Sequence, residues 1–293
     1  MAKRKGENAA APRRVSMRPP QAPGGARGRR QASAAGAPRG IWLYGVHPAL
    51  AALANQRRRV RRVALTAEVE RRHGEAIAAA LADCDHRPEI EKRPRTEISA
   101  LLPAGAVKLG LAVLGLPLPA TSLDQVCRSA GSCDSCTVVV LDQVSDPQNV
   151  GAVMRSAAAF GSLALVVQDR HAPRETGALA KAASGALERL PMVRVSNLAR
   201  ALKALQAAGF WCVGLTRGAE PPLTEIALIG RIAFVLGAEG AGLRRLTAER
   251  CDALAGLPTV GPIADLNVSN AAAVALYEAE RQRRSRATAG PVR

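Results

Sequence analysis

From residue 137 onward the chain alternates short apolar runs with helix-patterned stretches, and this alternation narrows the possible folds more than any other feature. The runs are TVVVL (137–141), LALVV (163–167), FWCVGL (210–215) and IAFVLG (232–237). A run too short for a helix and apolar at successive positions suits a strand buried on both faces. Between two of these runs, Leu198, Ala201, Leu202, Leu205 and Ala208 share one helical face, with Ser196 or Asn197 available as a cap and Gly209 as a terminator. The pattern predicts an α/β fold: a mostly parallel sheet with helices on both faces. Such sheets bind ligands beyond the carboxyl ends of their strands. Chemistry is therefore sought in the loops after 141, 215 and 237, and near 257, where ALAGLP (253–258) ends a further apolar run.

Upstream the pattern changes. Residues 41–119 read as a small α/β domain: IWLYGVHPALAALANQRRR (41–59) begins apolar, turns at Gly45, and then sets Leu50, Leu53 and Ala54 at helical spacing. An arginine run follows (Arg57, Arg58, Arg59, Arg61, Arg62), with few acids nearby to pair with. It reads either as a basic surface or as a solvated helix end, where cations are favoured. Residues 120–136 are polar, small and turn-rich, and read as a linker. The parallel-sheet domain then covers 137–286, with a tail at 287–293.

The formal charge is +17, and residues 1–40 carry ten Lys/Arg against the single acid Glu7, leaving +8 for the remaining 253 residues. With five Pro, six Gly and ten Ala, this segment cannot bury enough apolar surface to offset its ordering entropy, so it reads as a disordered basic arm. A polyanion such as nucleic acid is the expected partner, because neutralised phosphates release counterions; a solubilising tail is the alternative. The longest apolar stretch, 109–120, is short of a membrane span and contains two prolines. Six cysteines lack framework spacing, which fits a reduced, cytoplasmic setting. Cys133 and Cys136 form a CxxC with no second pair to complete a metal site, and no metal is expected.

Three loops stand out. DQVSDPQNVGAVMRSAAAFG (142–161) places Asn149 at the entry of a helix whose Gly151, Ala152, Ser156, Ala157 and Ala159 permit close approach of another backbone, in this chain or a second subunit; Arg155 lies six residues on. VLGAEGAGLRRLT (235–247) is glycine-rich but lacks both the Lys-Ser/Thr of a P-loop and the third glycine of a dinucleotide fingerprint. Its Glu239 would repel an anion, so the loop suits a ligand approached closely by backbone and carrying positive charge. LPTVGPIADLNVSNAAAVALYEAERQRR (257–284) sets Asn267 and Ser269 before a helical tail, as ligand groups or as ordinary caps.

Together, in order and wording, these loops resemble the SPOUT superfamily, and within it the SpoU/TrmH family of RNA ribose 2′-O-methyltransferases. YGVHPALAAL (44–53) is similar to the start of the ribosomal-protein-like RNA-binding domain of the branch that methylates a guanosine ribose in 23S ribosomal RNA; VSNLARALKALQ (195–206) and TAERCD (247–252) are similar to that branch too. The resemblance implies a deep trefoil knot, against the general rarity of knotted chains. It also implies a homodimer and S-adenosyl-L-methionine as cofactor, held by backbone at Gly237, Leu257 and Leu266. Asn149, Arg155, Glu239, Asn267 and Ser269 carry over as catalytic residues.

Methyl transfer to a ribose hydroxyl is an in-line displacement that needs alignment and a destination for a proton. The resemblance puts Arg155 at the acceptor nucleotide. Its guanidinium stays protonated, so holding a phosphate and polarising the 2′-oxygen suits it better than acting as a base. Two departures from the family wording stand out: Asp265 replaces a serine in the Ser-Leu-Asn-Val-Ser element, and Lys108-Leu109-Gly110 replaces His-Gln-Gly. The alternatives are tRNA or an antibiotic-site rRNA nucleotide as substrate, or a non-catalytic RNA-binding assembly factor.

Overall fold

The computed structural model describes residues 40–82, 87–104, 106, 110–262 and 265–289. Residues 1–39 of the basic arm, Cys84 and Lys108-Leu109 lie outside the described residues. In chain order the elements are β1 (Ile41–Tyr44), α1 (Val46–Ala54), β2 (Val60–Leu65), α2 (Ala67–Ala82), β3 (Glu89–Lys92), α3 (Arg95–Ala100) and β4 (Leu111–Gly115). Then follow α4 (Leu123–Gly131), β5 (Cys136–Asp142), α5 (Pro147–Ala159), β6 (Ala164–Gln168), α6 (Gly177–Ala183), β7 (Met192–Val195) and α7 (Leu198–Ala207). The chain continues with β8 (Trp211–Leu215), β9 (Arg231–Gly237), α8 (Arg245–Ala248), β10 (Ala253–Ala255) and α9 (Val268–Ala289).

Two sheets result. The smaller has the order β1-β4-β2-β3, antiparallel except for the β2–β3 pair. The larger has the order β10-β8-β9-β5-β6-β7, and every pair in it is parallel. Successive side chains on a strand point to opposite faces, and the larger sheet uses both. Val139, Leu141, Leu165, Val167, Phe234 and Leu236 join a core with residues of α5, α6 and α9. Val138, Val140, Val166, Ala233 and Val235 join another with residues of α4 and α7. The predicted face of α7 is the buried one, Leu198, Ala201, Leu202 and Leu205, and the Asn197 side chain caps it by accepting from the Arg200 N–H at 3.0 Å.

Several expectations change. The stretch 120–136 does connect the two sheets, but it contains α4, which buries Val126 and Ala130 and opens with a capping box between Ser122 and Gln125. That signal is readable: Ser-x-x-Gln satisfies two orphan N–H groups reciprocally. It is masked by the small polar residues around it. Strand β7 was not expected, because a four-residue strand carrying Arg194 has too little apolar periodicity. Helix α9 runs on through 287–289, expected as tail.

The arginine run is mostly not a helix end. Arg62 lies on β2 and pairs with Glu91, while Arg58 is buried, its guanidinium bonded to Glu188, Glu175 and the Leu116 carbonyl. The acids it needs lie more than a hundred residues away, where a local reading has no view of them. Arg57, Arg59 and Arg61 are exposed.

The smaller sheet does not stand apart. Leu43, Val63, Leu111 and Val113 belong to the same apolar core as α5 and α6. At Gly177 in α6, a Cβ would come within 2.2 Å of the Tyr44 ring and 2.4 Å of the Trp42 carbonyl, so only glycine lets β1 approach this closely. Among the described residues no helix is long and apolar enough to cross a membrane.

Candidate active site

The carboxyl ends of the larger sheet carry the site. Helix α5 starts there because Asp146 caps it, its carboxylate accepting from the Gln148 and Asn149 N–H groups, and Pro147 opens the first turn. Asp146, not Asn149, is the cap, which leaves the Asn149 side chain for other partners. Its Nδ2 donates to Glu239 Oε1 at 3.0 Å, and its Oδ1 accepts from Asn267 Nδ2 at 2.9 Å. Asn267 Nδ2 also donates to the same Glu239 oxygen. Asn267 Oδ1 accepts from the N–H of Ser269, at 2.9 Å, and from its hydroxyl, so Asn267 both caps α9 and joins the cluster. Three loops far apart in the chain are tied into one triangle of two carboxamides and a carboxylate.

Glu239 is held there by its loop. Gly237, the last residue of β9, runs so close to Gly242 that a Cβ would lie 2.0 Å from its carbonyl carbon. Arg244 closes the loop: its backbone N–H and Nε donate to Asp142 at 3.1 and 2.8 Å, and its Nη2 donates to Gln168 Oε1 at 2.9 Å. Asp142 is fully buried at the end of β5. A carboxylate there is tolerable only when paired and hydrogen-bonded. These anchoring residues were not anticipated; the one signal was an acid ending an otherwise apolar strand.

Beside the triangle lies a cavity of about 880 Å³, lined in part by Gly237, Glu239, Leu257, Leu266 and Asn267. Its walls are largely backbone and apolar groups. Of the charged residues in its lining, Asp265 is paired with Arg217 at 2.7 Å, leaving Glu220 and Glu239 as an acidic excess. The substituted Asp265 is therefore an exposed partner of an arginine. Thr216 also lines the cavity, and its Oγ1 is buried with no hydrogen-bond partner among the described residues. It was missed as well. Of the residues predicted for the site, Ser269 and Arg155 fall outside both the triangle and the cavity lining; Ser269 is still bonded to Asn267, whereas Arg155 is not tied to the cluster. It is exposed on α5, six residues and about 9 Å of helix rise beyond Asn149, with no ion pair among the described residues. The small residues of α5 meet α6 within the chain: a Cβ on Gly151 would lie 2.5 Å from that of Ala182.

A parallel α/β sheet with a backbone-lined cavity and a carboxamide–carboxylate cluster at its strand ends defines a ligand-binding α/β protein of the crevice type. The sequence profile of the SpoU rRNA Methylase family matches residues 136–277. A 23S rRNA (guanosine-2'-O-)-methyltransferase, RlmB, of Pseudomonas syringae is 39% identical over 246 residues, covering 82% of this chain and 95% of that protein. RlmB of Coxiella burnetii is 50% identical over 146 residues, half of this chain and 58% of that protein's length. The SpoU methyltransferase AviRb of Streptomyces viridochromogenes, solved in complex with AdoMet, superposes with a TM-score of 0.69 at 25% identity, covering 84% of this chain and 91% of that one. The chain belongs to the SpoU methyltransferase family.

Proposed function

We propose that this protein transfers a methyl group from S-adenosyl-L-methionine to a ribose 2′-hydroxyl of RNA, a guanosine of 23S ribosomal RNA being the acceptor. The observation that carries the proposal is the Asn149–Glu239–Asn267 triangle at the rim of the glycine-walled cavity. The named relatives act on that RNA, and one family structure was solved with that cofactor.

The cavity fits the cofactor. Its volume lies in the range of small-molecule sites. Gly237, Leu257 and Leu266 line it and offer backbone and apolar contacts to an adenosyl group, the Thr216 hydroxyl, unpartnered among the described residues, offers a hydrogen bond, and the acidic excess suits a cation. When bound, S-adenosylmethionine supplies an electrophilic methyl carbon on a positive sulfur.

The chain's own residues do the rest. Asn149 and Asn267 orient the acceptor ribose; Glu239 fixes both carboxamides; Ser269 holds the Asn267 side chain through its Oδ1. Arg155, always cationic, grips the acceptor's phosphate and polarises the 2′-oxygen, whose proton leaves to phosphate or solvent. Arg155 would meet the acceptor from the exposed side of α5, at the edge of a homodimer built on α5 and α9. Val274 and Tyr277 of α9, both exposed, support that surface. Residues 41–119 and the basic arm serve as RNA-binding parts, the C-terminal part is threaded as the trefoil knot of the family, and the enzyme works in the cytoplasm.

The test is methyl transfer from labelled cofactor to 23S rRNA by the purified protein, with nucleoside mass spectrometry identifying the product. Wild type should yield 2′-O-methylguanosine, and Arg155→Ala should lose more than about a hundredfold in kcat, by analogy with loss of a charge-stabilising group, while keeping cofactor affinity. No transfer by wild type, or normal transfer by the variant, refutes the proposal or the role.

A further inference from the structure

The loop 169–176 leaves β6 at the same edge as the site. Strands β5 and β6 are paired neighbours, so their following loops emerge about 5 Å apart, one leading to Asn149 and the other to Asp169–Thr176. Gln168, just before the second loop, is bonded to Arg244 of the Glu239 loop. The loop holds three basic or ionisable groups, Arg170, His171 and Arg174, and all three are exposed. It also holds two acids, Asp169 and Glu175, which would be expected to neutralise the arginines locally.

They do not, because each acid is engaged from outside. Arg194 of β7 donates to Asp169 at 3.3 Å and also to the Pro173 carbonyl. Buried Arg58, from the turn before β2, donates to Glu175 at 3.0 Å. The loop's backbone is held as well: the Asp169 N–H donates to the Val195 carbonyl, and the N–H groups of His171 and Ala172 donate to that of Gln168. Thr176 ends the loop by capping α6. A braced loop whose acids are spoken for thus presents Arg170 and Arg174 uncompensated, with neither arginine in an ion pair among the described residues.

We infer that the loop 169–176 is a phosphate-binding platform for the RNA strand that carries the acceptor ribose, with Arg170 and Arg174 as its contacts. The inference rests on the proposed RNA substrate. Phosphate contacts fix register without reading sequence. Two arginines on a braced loop beside the site would set which nucleotide reaches the triangle, and binding through them needs no further ordering of the loop backbone.

The experiment compares wild type, Arg170→Ala/Arg174→Ala, and a control with the same charge change, Arg128→Ala/Lys203→Ala, on exposed positions of α4 and α7. Binding of a 23S rRNA transcript is measured across a salt series, with the steady-state KM for RNA and the affinity for S-adenosylmethionine alongside. Loss of two phosphate contacts should lower the magnitude of the log K against log salt slope by about 1.4–1.8, and raise KM for RNA about tenfold or more at low salt. Cofactor affinity and kcat at saturating RNA should stay within about twofold, and the control should move the slope by less than half as much. An unchanged slope in the loop variant, or an equal change in the control, overturns the inference. If wild type binds RNA but transfers no methyl group, the proposed function fails while the slope still decides the platform.

Discussion

Arg58→Met puts the joint between the two sheets under test. The Arg58 side chain is fully buried, and its partners Glu188 and Glu175 are 3% and 18% exposed. Its guanidinium makes a two-pronged contact with Glu188 at 3.0 and 2.6 Å, and Nη1 reaches Glu175 at 3.0 Å and the Leu116 carbonyl at 2.8 Å. Methionine fills much of the volume but leaves the Glu188 carboxylate buried with, among the described residues, only the Asn55 amide as a side-chain partner, at 2.8 Å. Removing one member of a buried pair costs about 3–5 kcal/mol, chiefly through the charge left behind. With a urea m-value near 2.5 kcal/mol/M, the midpoint should fall by about 1.5 M. Glu188→Gln on the wild-type background should also destabilise. The double variant should cost less than the sum, with a coupling of about 1–3 kcal/mol. Equilibrium urea unfolding followed by circular dichroism measures all four corners. A loss below about 1 kcal/mol for Arg58→Met, or strict additivity in the cycle, would refute the view that this pair joins the sheets.

Two further outcomes are expected. Gly151→Ala would place a methyl 2.5 Å from the Ala182 Cβ and 2.8 Å from the Leu179 carbonyl oxygen, neither of which can swing aside; thermal unfolding should show a loss of about 1–3 kcal/mol, and an unchanged Tm would contradict the tight α5–α6 seam. Burial pushes the thiols of Cys212 and Cys251 up to about 12, with Asp252 adding to the effect on both. A raised thiol pKa favours the protonated native form, so its stabilising contribution is complete below the unfolded value near 9 and is lost as pH climbs towards 12. Iodoacetamide at pH 8 should therefore label both cysteines far more slowly in the native than in the unfolded protein, and stability should fall between pH 9 and 11; rapid native labelling would count against this.

How much of this was legible in the sequence depends on the range of the interaction involved. Hydrophobic periodicity acts over a few residues, and so the four apolar runs, the α7 face with its Asn197 cap and the strand-end location of the loops could all be read directly. Glu239 could be singled out as an acid among glycines because local composition suffices for that. Helix α4 had a local signal in Ser122 and Gln125 that its polar surroundings hid.

Other features have no local signature. Asn149 meets Glu239 across 90 positions and Asn267 across 118, and only the strand order, which sets β9 beside β5, makes them neighbours. The same holds for Arg58, which the sequence shows as one arginine among five and the packing buries against acids from 117 and 130 positions on. The strands and helices followed from short-range patterning of the chain. Which charges became buried partners, and which were left facing outward, was decided by tertiary structure, because desolvation and pairing depend on what the fold brings within a few ångströms.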